Sequence, residues 1–208
     1  LIALARALEV SIGYLMSPMR ASLDGVEFRK KAGTTAKDRA RVETEVLEQV
    51  ERYLMIEAIL ELDSACWNHP LPDPRRRVIG DLAECEALVE QVRARWNLGL
   101  DPIPNLTQLL EQHGIKVLLL PLPVGVYGLT CLVRRPAQEA VPCIVVNRAT
   151  TLERRRLTLA HELGHRLIGD ASPAGAEGAA KRFASAFLMP AIGHTVCHHK
   201  QGITFGIK

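Results

Sequence analysis

Two histidines and a glutamate form a compact motif in the C-terminal half of the chain, where residues 161–165 read HELGH. In a helix, His161 and His165 lie one turn apart on the same face, so both imidazoles can bind one metal ion. Zn²⁺ accepts neutral imidazole nitrogen, and a catalytic zinc site takes three protein ligands and keeps one position for water. Glu162 would take a proton from that water as a general base. The motif therefore predicts zinc-dependent hydrolysis.

The third ligand must come from outside the motif, and two carboxylates are candidates. Glu177 opens the next predicted helix, so a short helix–loop–helix would return it to the metal. Asp170 lies five residues after His165 and would reach the metal only if the chain turned sharply at Gly169. The residues alone leave both alternatives open. The rest of the motif helix is strongly apolar, so its histidines and Glu162 need polar partners or a metal.

Hydrophobic periodicity predicts the elements that must position these residues. The fold class is α+β: a helical N-terminal region, including a long amphipathic helix, precedes a domain with a small meander or mixed sheet and the motif helix. Two short helices are expected within residues 1–16, the second starting at Ser11. Further helices are predicted over residues 35–62, 81–96, 106–112, 152–168 and 176–188, and strands over residues 26–28, 116–120, 127–133 and 142–147.

Composition excludes several classes of protein. The 208 residues are 48% hydrophobic and 24% charged, which is ordinary for a globular chain and excludes a disordered or coiled-coil protein. The aromatic share of 4% disfavours a stacking platform for single-stranded nucleic acid. The five cysteines are widely spaced without a CxxC pair, so we expect no disulfide framework and a cytoplasmic location. Prolines and glycines interrupt the uncharged run 117–133, so no membrane partner is expected.

The string AHELGH, the preceding PCIVVN and the downstream EGAAKRFASAFLMP together resemble the ImmA/IrrE family of zinc metallopeptidases, over roughly residues 75–190. The resemblance implies a zincin-like fold, a zinc cofactor and Glu177, not Asp170, as the third ligand. It also implies a protein substrate, namely a helix-turn-helix repressor whose cleavage controls gene expression. The downstream matches to the family pattern are Glu177, Ala180, Phe183, Ala184, Leu188, Met189 and Pro190.

The chain departs from the family pattern in two places. Lys181 stands where the family usually has asparagine, four residues after Glu177 on the same helical face. Its ammonium either pairs with Glu177 and competes with zinc, or points into solvent. The sequence after Pro190 is also atypical, and we expect its histidine cluster to be a terminal segment and not a second metal site. Tyr127 is either a core residue or a hydrogen-bond donor to the reacting carbonyl.

The N-terminal string LARALEVSIGYLM resembles the last part of the helix-turn-helix domain of XRE-type regulators. The chain begins with leucine, so we expect it to be a fragment of a longer protein. Because the match lacks the helix that enters the major groove, we expect a full-length protein to bind DNA and this chain to bind it only weakly. The alternative function is an XRE-type regulator whose peptidase-like domain is a sensor or binds a partner. The predicted divisions are a helix-turn-helix remnant (1–16), a connector with the long helix (17–74), the peptidase domain (75–190) and an atypical or truncated tail (191–208).

Overall fold

The computed structural model describes residues 2–7, 12, 21–28, 35–62, 66–136 and 139–190. The described residues form a mixed α+β fold, as predicted. The histidine-rich tail and most of the second predicted N-terminal helix lie outside them. The elements are α1 (Ile2–Ala7), β1 (Ser22–Phe28), α2 (Ala36–Ile59), α3 (Glu84–Arg95), α4 (Leu106–Gln112), β2 (Lys116–Leu120), β3 (Gly128–Arg134), β4 (Val141–Asn147), α5 (Leu152–Leu167) and α6 (Ala176–Leu188).

The long helix α2 follows its sequence signals closely. A capping box starts it: the Thr35 hydroxyl accepts a hydrogen bond from the Asp38 backbone N–H, and the Asp38 carboxylate accepts one from the Thr35 backbone N–H. The apolar stripe expected from the sequence is buried along one face. It consists of Val42, Val46, Val50 and Leu54.

The four strands form one mixed sheet in the order β1-β3-β4-β2. The pairs β1–β3 and β3–β4 are antiparallel, whereas β2–β4 is parallel. A bulge between Asp24 and Glu27 interrupts β1, and Gly25 within it has a φ of +58°, in the left-handed region that glycine adopts without strain. Strand β1 lies before position 75, the predicted start of the peptidase domain, and the other three strands lie after it. Residues on both sides of that position thus belong to the same sheet.

Helices cover both faces of the sheet. The apolar stripe of α2 packs against one face, where alternate β3 residues Leu129, Cys131 and Val133 are buried. The other face packs against α3, α4, α5 and α6 in a second core cluster. Leu71 and Ile79, from the segment between α2 and α3, are buried in this second cluster.

A buried ion pair joins α2 to the sheet. Lys116 Nζ, at the start of β2, lies 2.5 Å from Glu57 Oε1 near the end of α2, and their side chains are 1% and 8% exposed. The ammonium also lies 4.9 Å from the centroid of the Tyr53 ring. This pair was not predicted from the sequence. None of the helices in the described part of the chain has the length and apolar character needed to cross a membrane.

Candidate metal centre

Helix α5 carries the HExxH motif on a buried segment. Thr151 caps the start of the helix, since its hydroxyl accepts a hydrogen bond from the Arg154 backbone N–H. His161 and Glu162 are each only 1% exposed. The Nε2 atoms of His161 and His165 lie 2.8 Å apart, as expected for two imidazoles one turn apart that point to one place.

Close packing between α5 and α6 brings Glu177 to these histidines. A Cβ atom on Gly164 would lie 3.2 Å from the Ala180 Cα atom, so the absence of a side chain at Gly164 lets the helices approach. Glu177 lies in the first turn of α6. Its Oε2 atom lies 3.3 Å from His161 Nε2 and 3.4 Å from His165 Nε2.

The three side chains fit a zinc ion. Their candidate ligand atoms all lie within 4.8 Å of one another. A tetrahedral zinc with ligands at about 2.0–2.1 Å places neighbouring ligand atoms roughly 3.3 Å apart. The two imidazole–carboxylate separations, 3.3 and 3.4 Å, match that spacing, and the imidazole–imidazole separation of 2.8 Å is somewhat shorter. Two imidazoles and one carboxylate are a known ligand set of catalytic zinc.

Asp170, the rival carboxylate, lies elsewhere. Its Oδ2 atom accepts a hydrogen bond from Arg76 Nη1 at 3.5 Å, and its side chain is 74% exposed. The chain just before it is fixed by a hydrogen bond from the Gly169 backbone N–H to the Arg77 carbonyl. Asp170 is not a member of the group of possible metal ligands found among the described residues, which consists of His161, His165 and Glu177.

Glu162 lies on the side of α5 that faces the sheet, close to the start of β3. A Cβ atom on Gly128 would lie 3.5 Å from Glu162 Oε1 and only 2.5 Å from the Thr158 Cγ2 atom. Gly128 therefore has to be glycine for α5 to pack against β3 with Glu162 beneath the strand. Gly128 was not among the site residues predicted from the sequence, although the Tyr-Gly-Leu stretch at 127–129 was the available signal.

Lys181 does pair with Glu177, one of the two outcomes considered from the sequence. Its Nζ atom lies 3.3 Å from Glu177 Oε1, with the lysine side chain 65% exposed. The oxygen that faces the imidazoles is Oε2, so the ion pair and the metal site use different oxygens of Glu177.

Tyr127 directly precedes Gly128 and is half-buried. The Arg154 guanidinium lies 4.0 Å from the centroid of its ring, which is a cation–π distance. The neighbouring Arg155 and Arg156 donate hydrogen bonds to backbone carbonyls. The arginines at the start of α5 therefore have structural contacts.

Residues 110–203 match the model of the peptidase M78 family, described as the IrrE N-terminal-like domain. The matched segment contains the HExxH motif and Glu177, and it supports the resemblance to the ImmA/IrrE family and a metal-dependent peptidase. No curated protein and no solved structure matches the chain.

Proposed function

We propose that the chain is a zinc-dependent endopeptidase of the ImmA/IrrE type, in which His161, His165 and Glu177 hold the zinc ion and Glu162 is the general base. The observation that carries the proposal is the convergence of two imidazole nitrogens and one carboxylate oxygen from two helices on one point. A soluble, cytoplasmic location is part of the same proposal.

Zinc bound at these ligands would supply Lewis acidity, which polarises a peptide carbonyl and lowers the pKa of water to about 7. Glu162 takes a proton from the attacking water and passes it to the amide nitrogen that leaves, so that water adds across the C–N bond. Because Glu162 is 1% exposed, its interactions act in a medium of low dielectric constant and are stronger than in water.

The substrate we propose is a helix-turn-helix repressor, and this rests on the family resemblance. Incubation with a purified XRE-type repressor encoded in the same genome, followed by mass spectrometry of the products, tests it. One discrete cut that disappears on addition of a chelator is the expected result. An intact repressor beside a cleaved unfolded protein such as β-casein would reject the repressor as substrate and keep the peptidase.

Zinc stoichiometry by elemental analysis tests the metal site. We expect about one zinc per chain in the wild type, loss of zinc in Glu177→Ala, and full retention in the matched carboxylate variant Asp170→Ala. Retention of zinc by Glu177→Ala together with its loss from Asp170→Ala would overturn the proposed ligand set.

A second candidate is an XRE-type transcription regulator whose peptidase-like domain is a sensor or partner-binding module. The contact between Lys181 Nζ and Glu177 Oε1 favours it, because the ammonium offsets part of the negative charge that Glu177 would offer to a metal. This function requires weak zinc occupancy and operator binding by the full-length protein. A gel-shift measurement that shows no DNA affinity for the full-length protein would reject it.

A further inference from the structure

The metal-ligating flank of α5 is turned toward the half of the sheet that contains β1. With 3.6 residues per turn, His161 and His165 lie opposite a flank of leucines. That leucine flank packs in the core with residues of β2 and β4: Leu159, Leu163 and Leu167 share a cluster with Val117, Ile144 and Val146. His161 and His165 therefore lie on the flank of α5 away from β2 and β4, next to Glu177 of α6, and β3 and β1 are the strands on that side of β4.

The sheet-facing flank of α5 passes from β3 toward β1. Glu162 lies next to Gly128 at the start of β3. One turn later, Arg166 is close enough to Asp24 of β1 to act on its charge: the hydrogen bond and charge of Arg134 hold the pKa of Asp24 below its ordinary value, and the charge of Arg166 adds to this effect. The flank of α5 that holds Glu162 and Arg166 therefore extends from the start of β3 toward β1.

The pairing register continues almost to the catalytic base. In the antiparallel pair β1–β3, Phe28 is the partner of Leu129, the residue next to Gly128. An extended peptide that paired with β3 in the place of β1 would have its backbone beside Glu162, on the side of the histidines. Addition of a peptide strand to a sheet edge is a common mode of peptide recognition, because main-chain hydrogen bonds supply the affinity.

We propose that β1 is an internal competitor of the substrate: it occupies the edge of β3 next to Glu162, and an extended segment of the substrate must displace it to bind there. The inference rests on the proposed peptidase function and adds to it a built-in competitor.

Several features make β1 the strand most easily displaced. None of residues 22–26 is fully buried, whereas all seven residues of β4 are. Among residues 22–26, the part of β1 whose side chains the structure describes, Leu23 and Val26 pack on the α2-side core, and both are partly buried. The ion pair between Asp24 and Arg134 is exposed, with side chains 53% and 58% accessible, so it adds little stability.

A reversible lock and an undocked variant test the proposal. Ser22 and Arg134 are exposed register partners, and cysteines at both positions fall within disulfide range, since paired antiparallel Cα atoms are about 4.5–5.5 Å apart. Oxidation of S22C/R134C holds β1 on β3. Conversely, L23D/V26D places charges where β1 contacts the core and releases the strand.

The probe is a fluorescein-labelled peptide with the β1 sequence SLDGVEF, and binding is followed by fluorescence anisotropy in the presence of a chelator. We expect the undocked variant to bind it at least tenfold more tightly than the oxidised lock. Val124→Asp, which adds a charge at an exposed position of the turn before β3, is the matched control and should bind no better than the wild type. The single-cysteine variants should not respond to oxidation.

Equal binding to the locked and undocked proteins would overturn the proposal, because the peptide would then add to the outer edge of β1. Absence of binding to an undocked variant that still melts cooperatively would also overturn it. If the undocked variant does not fold, the reduced and oxidised forms of S22C/R134C decide: tighter binding to the reduced form, with peptide up to about 1 mM, supports the proposal, and no difference rejects it. The assay needs neither zinc nor hydrolysis, so its outcome is separate from that of the zinc analysis.

Discussion

Lys181 Nζ lies 3.3 Å from Glu177 Oε1, while the other oxygen of the same carboxylate faces two imidazoles. The lysine can therefore hold the carboxylate in place without occupying the oxygen offered to a metal. An exposed ion pair of this kind is worth about 0.2–1 kcal/mol, which sets the scale of its effect on zinc binding.

We expect Lys181→Gln to change the zinc dissociation constant by no more than about fivefold, the equivalent of about 1 kcal/mol. Glu177→Gln removes a ligand, so it should weaken zinc binding more strongly than loss of a ligand's hydrogen-bond partner does. Loss of such a partner lowers metal affinity roughly 10- to 100-fold. Competition titration with a chromophoric chelator measures both constants. Zinc binding tenfold tighter in Lys181→Gln than in the wild type would show that the lysine opposes the metal.

Glu162→Gln should abolish most of the cleavage and leave zinc binding intact. The amide cannot accept the proton from water, and loss of a general base lowers rates by about 10²–10⁴-fold. Cleavage of the repressor or of β-casein, beside elemental analysis of the same sample, is the measurement. Undiminished proteolysis by a zinc-loaded Glu162→Gln protein would contradict the assigned role.

Two glycine-to-alanine variants separate helix propensity from helix packing. A Cβ atom on Gly164 meets Ala180 and Phe183 of α6 at 3.2 Å, whereas one on Gly178 meets nothing within 4 Å. Both changes favour the helix by up to about 1 kcal/mol. Only Gly164→Ala should offset that gain, because overpacking costs about 1–3 kcal/mol and moves α6, with Glu177, away from the histidines.

Thermal melting and zinc titration of the two glycine-to-alanine variants test this prediction. We expect Gly164→Ala to lower both the melting temperature and the zinc affinity, and Gly178→Ala to lower neither. A Gly164→Ala protein with unchanged zinc affinity would mean that the distance between the helices does not position Glu177.

Stability should fall in mild acid, in part because of His113. Its ring stacks on Trp96 with centroids 4.3 Å apart, and burial lowers its pKa below the ordinary value of about 6.5. The unfolded chain then binds a proton more readily than the folded one, so this contribution is complete above pH 6.5 and is lost as the pH falls through and below that value.

Replacement of His113 by phenylalanine keeps the stacked ring and removes the titration. We expect the difference in melting temperature between pH 7.5 and pH 5.5, measured in chelator, to be smaller in His113→Phe than in the wild type. An equal difference in the two proteins would show that His113 does not contribute.

Local sequence patterns predicted the helices and strands well. The arrangement of the strands depends on long-range packing, which local patterns do not predict. The periodicity of Val42, Val46, Val50 and Leu54 and the cap at Thr35 are local features, so α2 was predictable. The order of the strands depends on contacts between distant segments. The addition of β1 to β3 depends on a bulge at Gly25, which no periodic pattern signals.

The candidate site was predictable to the extent that its spacing is local. The positions of His161 and His165 on one helical turn follow from the sequence, but the choice between Glu177 and Asp170 came only from the family resemblance. In the structure, Glu177 reaches the histidines because α5 and α6 pack closely at Gly164, and this contact joins residues that are distant in sequence. The requirement for glycine at Gly128 arises in the same way, from the approach of α5 to β3.

The ion pair between Glu57 and Lys116 has a consequence for any shortened form of the protein. A chain that starts after α2 keeps the ammonium of Lys116 but loses the carboxylate 2.5 Å away and the helix that excludes water from it. Removal of one partner of a buried pair typically costs about 3–5 kcal/mol, a large part of the stability of a domain. The helix that holds the HExxH motif and the sheet it packs against therefore depend for their stability on a helix that contributes no atom to the candidate metal site.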